Sequence, residues 1–288
     1  MYLLQTGFGE KPEQARMAVQ LAKDPMFWRA VLHHNDFVDF DDLWGLDVPW
    51  HEPPNSAGNG WSGVCRIELK LPAGGQTGVY VKRQQNYRSR SMLHPLTGET
   101  TLAREYRNLQ LFQACGIKTQ QPVFFSQRRI NGNTQAILLT EALDGYASLD
   151  VLLERWAKEG SSHSAERVLM LEALAEAVGH MHRQFIRHNC LYSKHILIKS
   201  VNMARLDIRF IDLEKAKRSP FRLMAVIRDL DQLKRNSRAL TGDDWRFFCE
   251  HYFKEWRYPA LARWTLRRIF QRGKRRIQKK NKRSKLLC

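Results

Sequence analysis

Hydrophobic and polar positions alternate most cleanly at VCRIELKL, residues 64–71. Cys65, Ile67, Leu69 and Leu71 fall on one side, and Arg66, Glu68 and Lys70 on the other. That period of two predicts a strand with one buried face. PAGGQTG (72–78) is turn material and VYVKRQ (79–84) reads as a second strand, so the two form a hairpin. In TTLAREYRNLQLFQACG (100–116), Leu102, Tyr106, Leu109 and Phe112 or Gln113 recur at helical spacing, and Gly116 is a stop signal. QPVFFSQ and TQAILLTEAL (134–143) read as two further strands around the turn at Asn131-Gly132-Asn133.

After Gly145 the period changes. Ser148 or Asp150 caps a helix through LLERWAKEG. Residues 165–186 carry Val168, Leu171, Leu174, Ala175, Val178, Met181 and Phe185 as an apolar helix stripe. A short strand pair around HILIKS and LDIRFIDLE follows, and the remainder reads as helix. Within it, Leu261, Trp264, Thr265, Ile269, Phe270 and Ile277 mark one face of a helix whose other faces are basic. Residues 1–60 show no long period, and PWHEPPNSAGNG (49–60), with three prolines and two glycines, reads as loop. No internal repeat or low-complexity tract interrupts the chain.

Composition narrows the class. The chain has 288 residues, 43% of them hydrophobic, with eight Trp and fourteen Phe. That is enough to bury a core and too aromatic for wholesale disorder. The five cysteines, 65, 115, 190, 249 and 288, form no C-x-x-C pair, so neither a disulfide framework nor a zinc site is expected. MYLLQTGFGEKPEQ has no basic region and no long apolar run, so no secretory signal is expected. No stretch approaches the ~18 apolar residues that a membrane span needs.

The formal charge of +18 is uneven. From Arg257 to Cys288 there are 13 Lys or Arg and no Asp or Glu, which leaves the body only mildly basic. Such a tail either seeks a polyanion or is a solvated helix with a frayed end. It interleaves few aromatics with its charges, and no specific nucleic-acid partner is expected.

Four features then line up in order. VYVK puts Lys82 on the strand after the hairpin, and Glu105 lies on the following helix, with Glu99 a rival nearby. RHNCLYSKHILI (187–198) comes after the long helix, and FIDLE puts Asp212 at the end of an apolar strand. This is the order of a protein-kinase-like fold: strand lysine, helix carboxylate, catalytic loop, metal aspartate. Phosphoryl transfer uses each, because a Lys neutralises nucleotide phosphates, a Glu holds the Lys, and an Asp carries Mg²⁺. The plain alternatives are a strand-edge lysine, a solvated helix glutamate and a turn-capping aspartate. The expected fold is α+β and bilobal, with a β-rich N-lobe and a helical C-lobe. The expected organisation is an N-terminal extension over 1–60, an N-lobe over 61–143, a C-lobe over 144–256 and a basic tail over 257–288.

More narrowly, YVKRQ, HPLTGETTLAREYRNLQ, GIKTQQPVFF, LLTEALDGY, HNCLYSKHI and IDLEKAKRS resemble the Kdo/heptose lipopolysaccharide kinase family, its InaA-like branch in particular. The resemblance runs from about Trp61 to about Asn236. It implies ATP- and Mg²⁺-dependent phosphorylation of a heptose or Kdo of the lipopolysaccharide inner core. By position, it implies that Lys82 meets the nucleotide phosphates and pairs with Glu105. Asp212 and His195 would be the metal residues, since lipopolysaccharide kinases resemble this chain in having His where protein kinases have Asn. Glu141 and Leu143 would flank adenine at a hinge, and Gly60 to Gly63 would let backbone N–H groups approach phosphate unless they belong to an ordinary turn. Asp229 matches a helix position that braces the catalytic loop or else makes a surface salt bridge. The implied location is cytoplasmic, with the basic tail attaching the protein peripherally to the anionic inner face of the inner membrane and its lipopolysaccharide core glycolipid.

One position departs from the pattern. The loop aligns His188 with the catalytic-loop histidine but puts Cys190 where the catalytic aspartate belongs. A neutral thiol accepts hydrogen bonds weakly. Either the chain is a slow kinase, with His188, Cys190 or a carboxylate such as Glu214 orienting the acceptor hydroxyl, or it is a pseudokinase that binds nucleotide and regulates an assembly. Cys190 then either takes part or simply packs.

Overall fold

The computed structural model describes residues 25–89, 98–160, 165–202, 205–237 and 239–254, together with positions 256, 260, 261, 264, 265, 267 and 268. The chain divides into two compact units, residues 1–103 with 121–142, and residues 104–120 with 143–288.

The first unit contains α1 (Pro25–His34), α2 (Phe40–Trp44), β1 (Glu52–Ala57), β2 (Gly60–Lys70), β3 (Gln76–Gln85), β4 (Arg88–Ser89) and β5 (Glu99–Thr100). The helix α3 (Thr101–Ala114) begins here and continues into the second unit. β6 (Pro122–Ile130) and β7 (Asn133–Glu141) complete an antiparallel sheet of order β1-β2-β3-β7-β6. The expected hairpins are present, and Asn131 and Gly132 turn between β6 and β7 at positive φ.

Alternation decides what each face does. Cys65, Leu69, Val79, Val81, Ile137 and Leu139 share a core with Trp28, Val31 and Leu32 of α1 and Leu43 of α2. Residues 25–44 therefore belong to the body of this unit. Asn35 locks α1 to the sheet, its side chain donating to Lys70 O and accepting from Lys70 N, both at 2.8 Å. Arg128 holds α2 through a two-pronged pair with Asp41. Lys82 lies on the opposite face of β3, between Val64 and Leu138 in the register.

The stretch expected to be loop at 49–60 contains β1 instead. Its prolines, Pro53 and Pro54, sit on the edge strand at an irregularity of the β1–β2 register, where a missing N–H costs no ladder bond. Gly58 and Asn59 form the two-residue turn into β2, with Gly58 at φ +56°.

The second unit holds β8 (Ala147–Ser148), α4 (Leu149–Glu159), α5 (Ala165–Arg183), β9 (Ile186–Arg187), a 3₁₀ turn (Ser193–His195), β10 (Ile196–Asn202), β11 (Arg205–Phe210), β12 (Lys217–Arg218), α6 (Arg222–Asn236) and α7 (Gly242–Phe253). α5 packs its stripe of Met170, Leu171, Leu174, Val178 and Met181 against α7 and β11. Arg167 of α5 is buried and forks onto Asp244 of α7, so each of these two charges compensates the other. α4 ends on Gly160 in the left-handed region, as a helix C-terminus favours. Leu109 and Phe112 of α3 are fully buried in this unit. The four cysteines among the described residues, 65, 115, 190 and 249, are all free. No helix among the described residues is long and apolar enough to cross a membrane. Most of the basic tail, with Ile269, Phe270 and Ile277, lies outside the described residues, as do His94 to Thr97 of HPLTGETT.

Candidate active site

Side chains of α6 hold the first part of the loop between β9 and β10. Asp229, fully buried, accepts the backbone N–H groups of His188 at 2.7 Å and Asn189 at 3.0 Å, and His182 Nε2 approaches it at 3.2 Å. Gln232, one turn further along α6, accepts from Leu191 N and donates to Asn189 O at 2.5 Å. Asn189 takes a left-handed backbone at φ +65° and donates its side chain to Lys215 O. The bracing expected of Asp229 is present. Gln232 and Asn189 were not anticipated, because an isolated amide leaves no period in a sequence.

His188 is enclosed completely. Its Nε2 donates to Ile211 O at 3.1 Å, and its Nδ1 accepts the N–H of Cys190 at 3.3 Å. Burial pushes its pKa down to about 4, with Asp229 pulling the other way, so the ring is neutral at neutral pH. Both ring nitrogens of His188 are thus engaged, one by Ile211 O and one by Cys190 N.

Cys190 is 5% exposed. Burial first, then the charge of Asp212, raises its thiol pKa, which keeps the sulfur protonated. Its carbonyl does more: it accepts from His195 Nδ1 at 2.9 Å and Tyr192 N at 2.8 Å. Glu214, the other candidate for the acceptor side, is paired with Arg104 at 2.6 Å.

His195 and Asp212 stand together. His195 Nε2 lies 3.3 Å from Asp212 Oδ2. A carbonyl only accepts, so His195 Nδ1 carries the proton that Cys190 O receives. In the neutral ring, Nε2 then points a lone pair at a carboxylate. Two acceptors face each other, an arrangement completed by a shared proton or a metal cation. Asp212 is held at φ +57°, a left-handed backbone that costs a non-glycine residue about 1–3 kcal/mol and is concentrated at functional sites. Ile211 N donates to His195 O at 3.0 Å, and Asn108 of α3 donates to Leu213 O and Ala216 O, so both sides of Asp212 are anchored. Among the described residues, no cluster of three or more His, Cys, Asp or Glu forms a self-sufficient metal cage. Asp212 offers the kind of carboxylate through which kinases hold Mg²⁺, with nucleotide phosphates and water completing the shell.

In the first unit, Lys82 is half-buried on β3. Two residues on, Gln84 accepts from Thr101 Oγ1 at 2.7 Å and Leu102 N at 3.2 Å, so the strand fixes the start of α3. Glu105, in the second unit's part of α3, is buried. Its rival Glu99 lies in β5, opposite Ser89, and not on the helix.

Gly60 and Gly63 follow the Gly58–Asn59 turn of the β1–β2 hairpin. Both are within β2, and packing explains them: a Cβ on Gly60 would meet Asn86 O at 2.6 Å, and one on Gly63 would meet the Trp50 ring at 2.7 Å. Glu141, the hinge candidate, ends β7. β7 is flanked on both sides, and Glu141 N already donates to Gln121 O at 2.9 Å. Leu143 O accepts from Tyr146 N in the turn that follows.

Comparison with known proteins settles the family. The model of the lipopolysaccharide kinase (Kdo/WaaP) family matches residues 41–252. The chain belongs to the lipopolysaccharide kinase (Kdo/WaaP) family. It is 30% identical over 219 residues to protein InaA of Escherichia coli K12, a match covering 75% of this chain and 96% of that protein. It is 27% identical over 118 residues to the lipopolysaccharide core heptose(I) kinase WaaP of Pseudomonas aeruginosa PAO1, covering 40% of this chain and 44% of that one. A solved structure of WaaP in complex with acyl carrier protein superposes with a TM-score of 0.56 at 22% identity, over 83% of this chain and 94% of that one. The fold is thus the α+β, kinase-like fold expected, with a sheet-rich and a helix-rich unit. Family membership makes a phosphotransferase the coarse function.

Proposed function

We propose that this protein is an ATP- and Mg²⁺-dependent kinase that phosphorylates a hydroxyl of heptose or Kdo in the lipopolysaccharide inner core. The observation that carries this reading is the His195–Asp212 pair, Nε2 lying 3.3 Å from Oδ2 on a strained, doubly anchored backbone. Asp212 would hold Mg²⁺, with His195 beside it. When bound with ATP, the ion supplies charge neutralisation to the transferring phosphoryl group. Lys82 is assigned to the nucleotide phosphates and Glu105 to holding that lysine. His188 and Cys190 hold the loop in shape, and neither replaces the missing aspartate as proton acceptor. A general base is worth about 10²–10⁴-fold, and the loose transition state of phosphoryl transfer tolerates its loss at a reduced rate. The basic tail would keep the protein at the anionic inner face of the inner membrane, at about 1 kcal/mol per Lys or Arg near the surface.

A second reading, a nucleotide-binding pseudokinase, is favoured by the enclosed His188 and the protonated Cys190. Transfer of labelled γ-phosphate from Mg-ATP to dephosphorylated core glycolipid separates the two. The kinase reading expects slow transfer by the wild type, none by Asp212→Ala, and faster transfer by Cys190→Asp. Wild-type protein that binds Mg-ATP yet transfers to no core acceptor supports the pseudokinase.

A further inference from the structure

The two deeply buried arginines of the second unit are treated differently. Arg167 has the Asp244 carboxylate. Arg187, 6% exposed at the entrance to the catalytic loop, has a buried Nε with no hydrogen-bond partner among the described residues. The β9–β12 ladder sets Arg187 directly opposite Lys217. Directly opposed side chains lie on one face with Cβ atoms about 5 Å apart, and like charges there repel. Arg228 adds a third charge: burial first, and then Arg228, lowers the Arg187 pKa against the single opposing pull of Asp229. Burial first, and then Arg187, Arg228 and Arg104, lowers that of Lys217. The neighbouring carboxylates are spoken for. Asp229 accepts from the loop and lies against His182, and Glu214 is paired with Arg104. Gathering three cations, one of them a buried guanidinium, is unfavourable unless a further anion completes the set.

We propose that Arg187, Lys217 and Arg228 form an anion site for a phosphate group, distinct from the His195–Asp212 pair. Lys217 and Arg228 are exposed, so the site is open to solvent on one side while Arg187 forms its floor. The phosphate comes either from solution or from a phosphate already carried by the glycolipid acceptor. Only the second source rests on the kinase reading.

The test is calorimetric titration of the full-length protein with inorganic phosphate at about physiological salt, where exposed charges are screened. Wild type is expected to bind. Lys217→Gln and Arg228→Gln, both surface changes, are each expected to weaken phosphate about tenfold or more, the effect of one charge-assisted hydrogen bond. Their Mg-ADP affinity, measured separately, is expected to stay unchanged. Phosphorylated core glycolipid that displaces phosphate, where the dephosphorylated form does not, identifies the acceptor as the source. Binding of inorganic phosphate with no such displacement identifies solution phosphate. Absent phosphate binding, or equal binding by wild type and both variants, overturns the site without touching the kinase reading.

Discussion

His195 Nε2 faces Asp212 Oδ2 at 3.3 Å while its other nitrogen donates to the Cys190 carbonyl. The pair is closed either by a shared proton or by a cation, and the two can be told apart. Asp212→Asn removes the charge and keeps the shape. It is expected to lower Mg-ATP affinity about tenfold or more while leaving metal-free ATP binding unchanged. Titrations in Mg²⁺ and in EDTA read the difference. Equal loss under both conditions would show that Asp212 supports the fold and not the ion.

Asp229 is the mechanical centre of the loop. Asp229→Ala strips two backbone N–H groups and His182 of their acceptor at full burial. Each orphaned buried donor costs about 1–3 kcal/mol, so the loss of stability is expected to be about 3–5 kcal/mol. Denaturant midpoints measure it. A change below about 1 kcal/mol would mean that water replaces the carboxylate and that the loop is not braced from α6.

Much of this was legible before any coordinates. The β2–β3 hairpin shows itself because alternation is strict where one face is buried, and α3 and α5 because their apolar stripes are long. β1 was hidden by Pro53 and Pro54, which argue against a strand anywhere except on the edge they occupy. α1 was hidden because ten residues carry too few turns to display a period. In the site, the order Lys82, Glu105, loop, Asp212 was readable from residue type and spacing. The enclosure of His188 was not, since the same histidine is catalytic or structural according to which groups surround it. The bracing amides Asn108, Asn189 and Gln232 act through single long-range hydrogen bonds, which no local pattern announces.

The glycines of β2 provide a separate check on the nucleotide side. Gly63→Ala pushes a methyl group into the Trp50 ring at 2.7 Å. Overpacking of this kind costs about 1–3 kcal/mol. The expected outcome is a lower thermal midpoint with ATP affinity preserved in the folded fraction. A drop in ATP affinity at unchanged stability would instead return Gly63 to a phosphate-binding role.

Acid sensitivity should begin at His188. Its native pKa, pushed down to about 4 by burial, lies below the ~6.5 of an unfolded histidine. The unfolded chain therefore takes up a proton first as pH falls. The contribution of the neutral ring is complete above about pH 6.5 and is lost between there and about pH 4, at roughly 3 kcal/mol in all. Asp207 behaves separately. Burial opposes its ionisation, but Lys118, Tyr146 and Arg209 prevail and hold its pKa at about 2, so its contribution is present above about pH 4 and fades below that. Chemical denaturation from pH 7.5 to pH 4.5 is expected to show stability falling with pH before any carboxylate titrates. An imidazole resonance that stays neutral to below about pH 5 in the native protein identifies the group. If His188 titrates near 6.5 in the folded state, the ring is hydrated, its two bonds to Ile211 and Cys190 are not maintained, and a place for it beside the acceptor hydroxyl reopens.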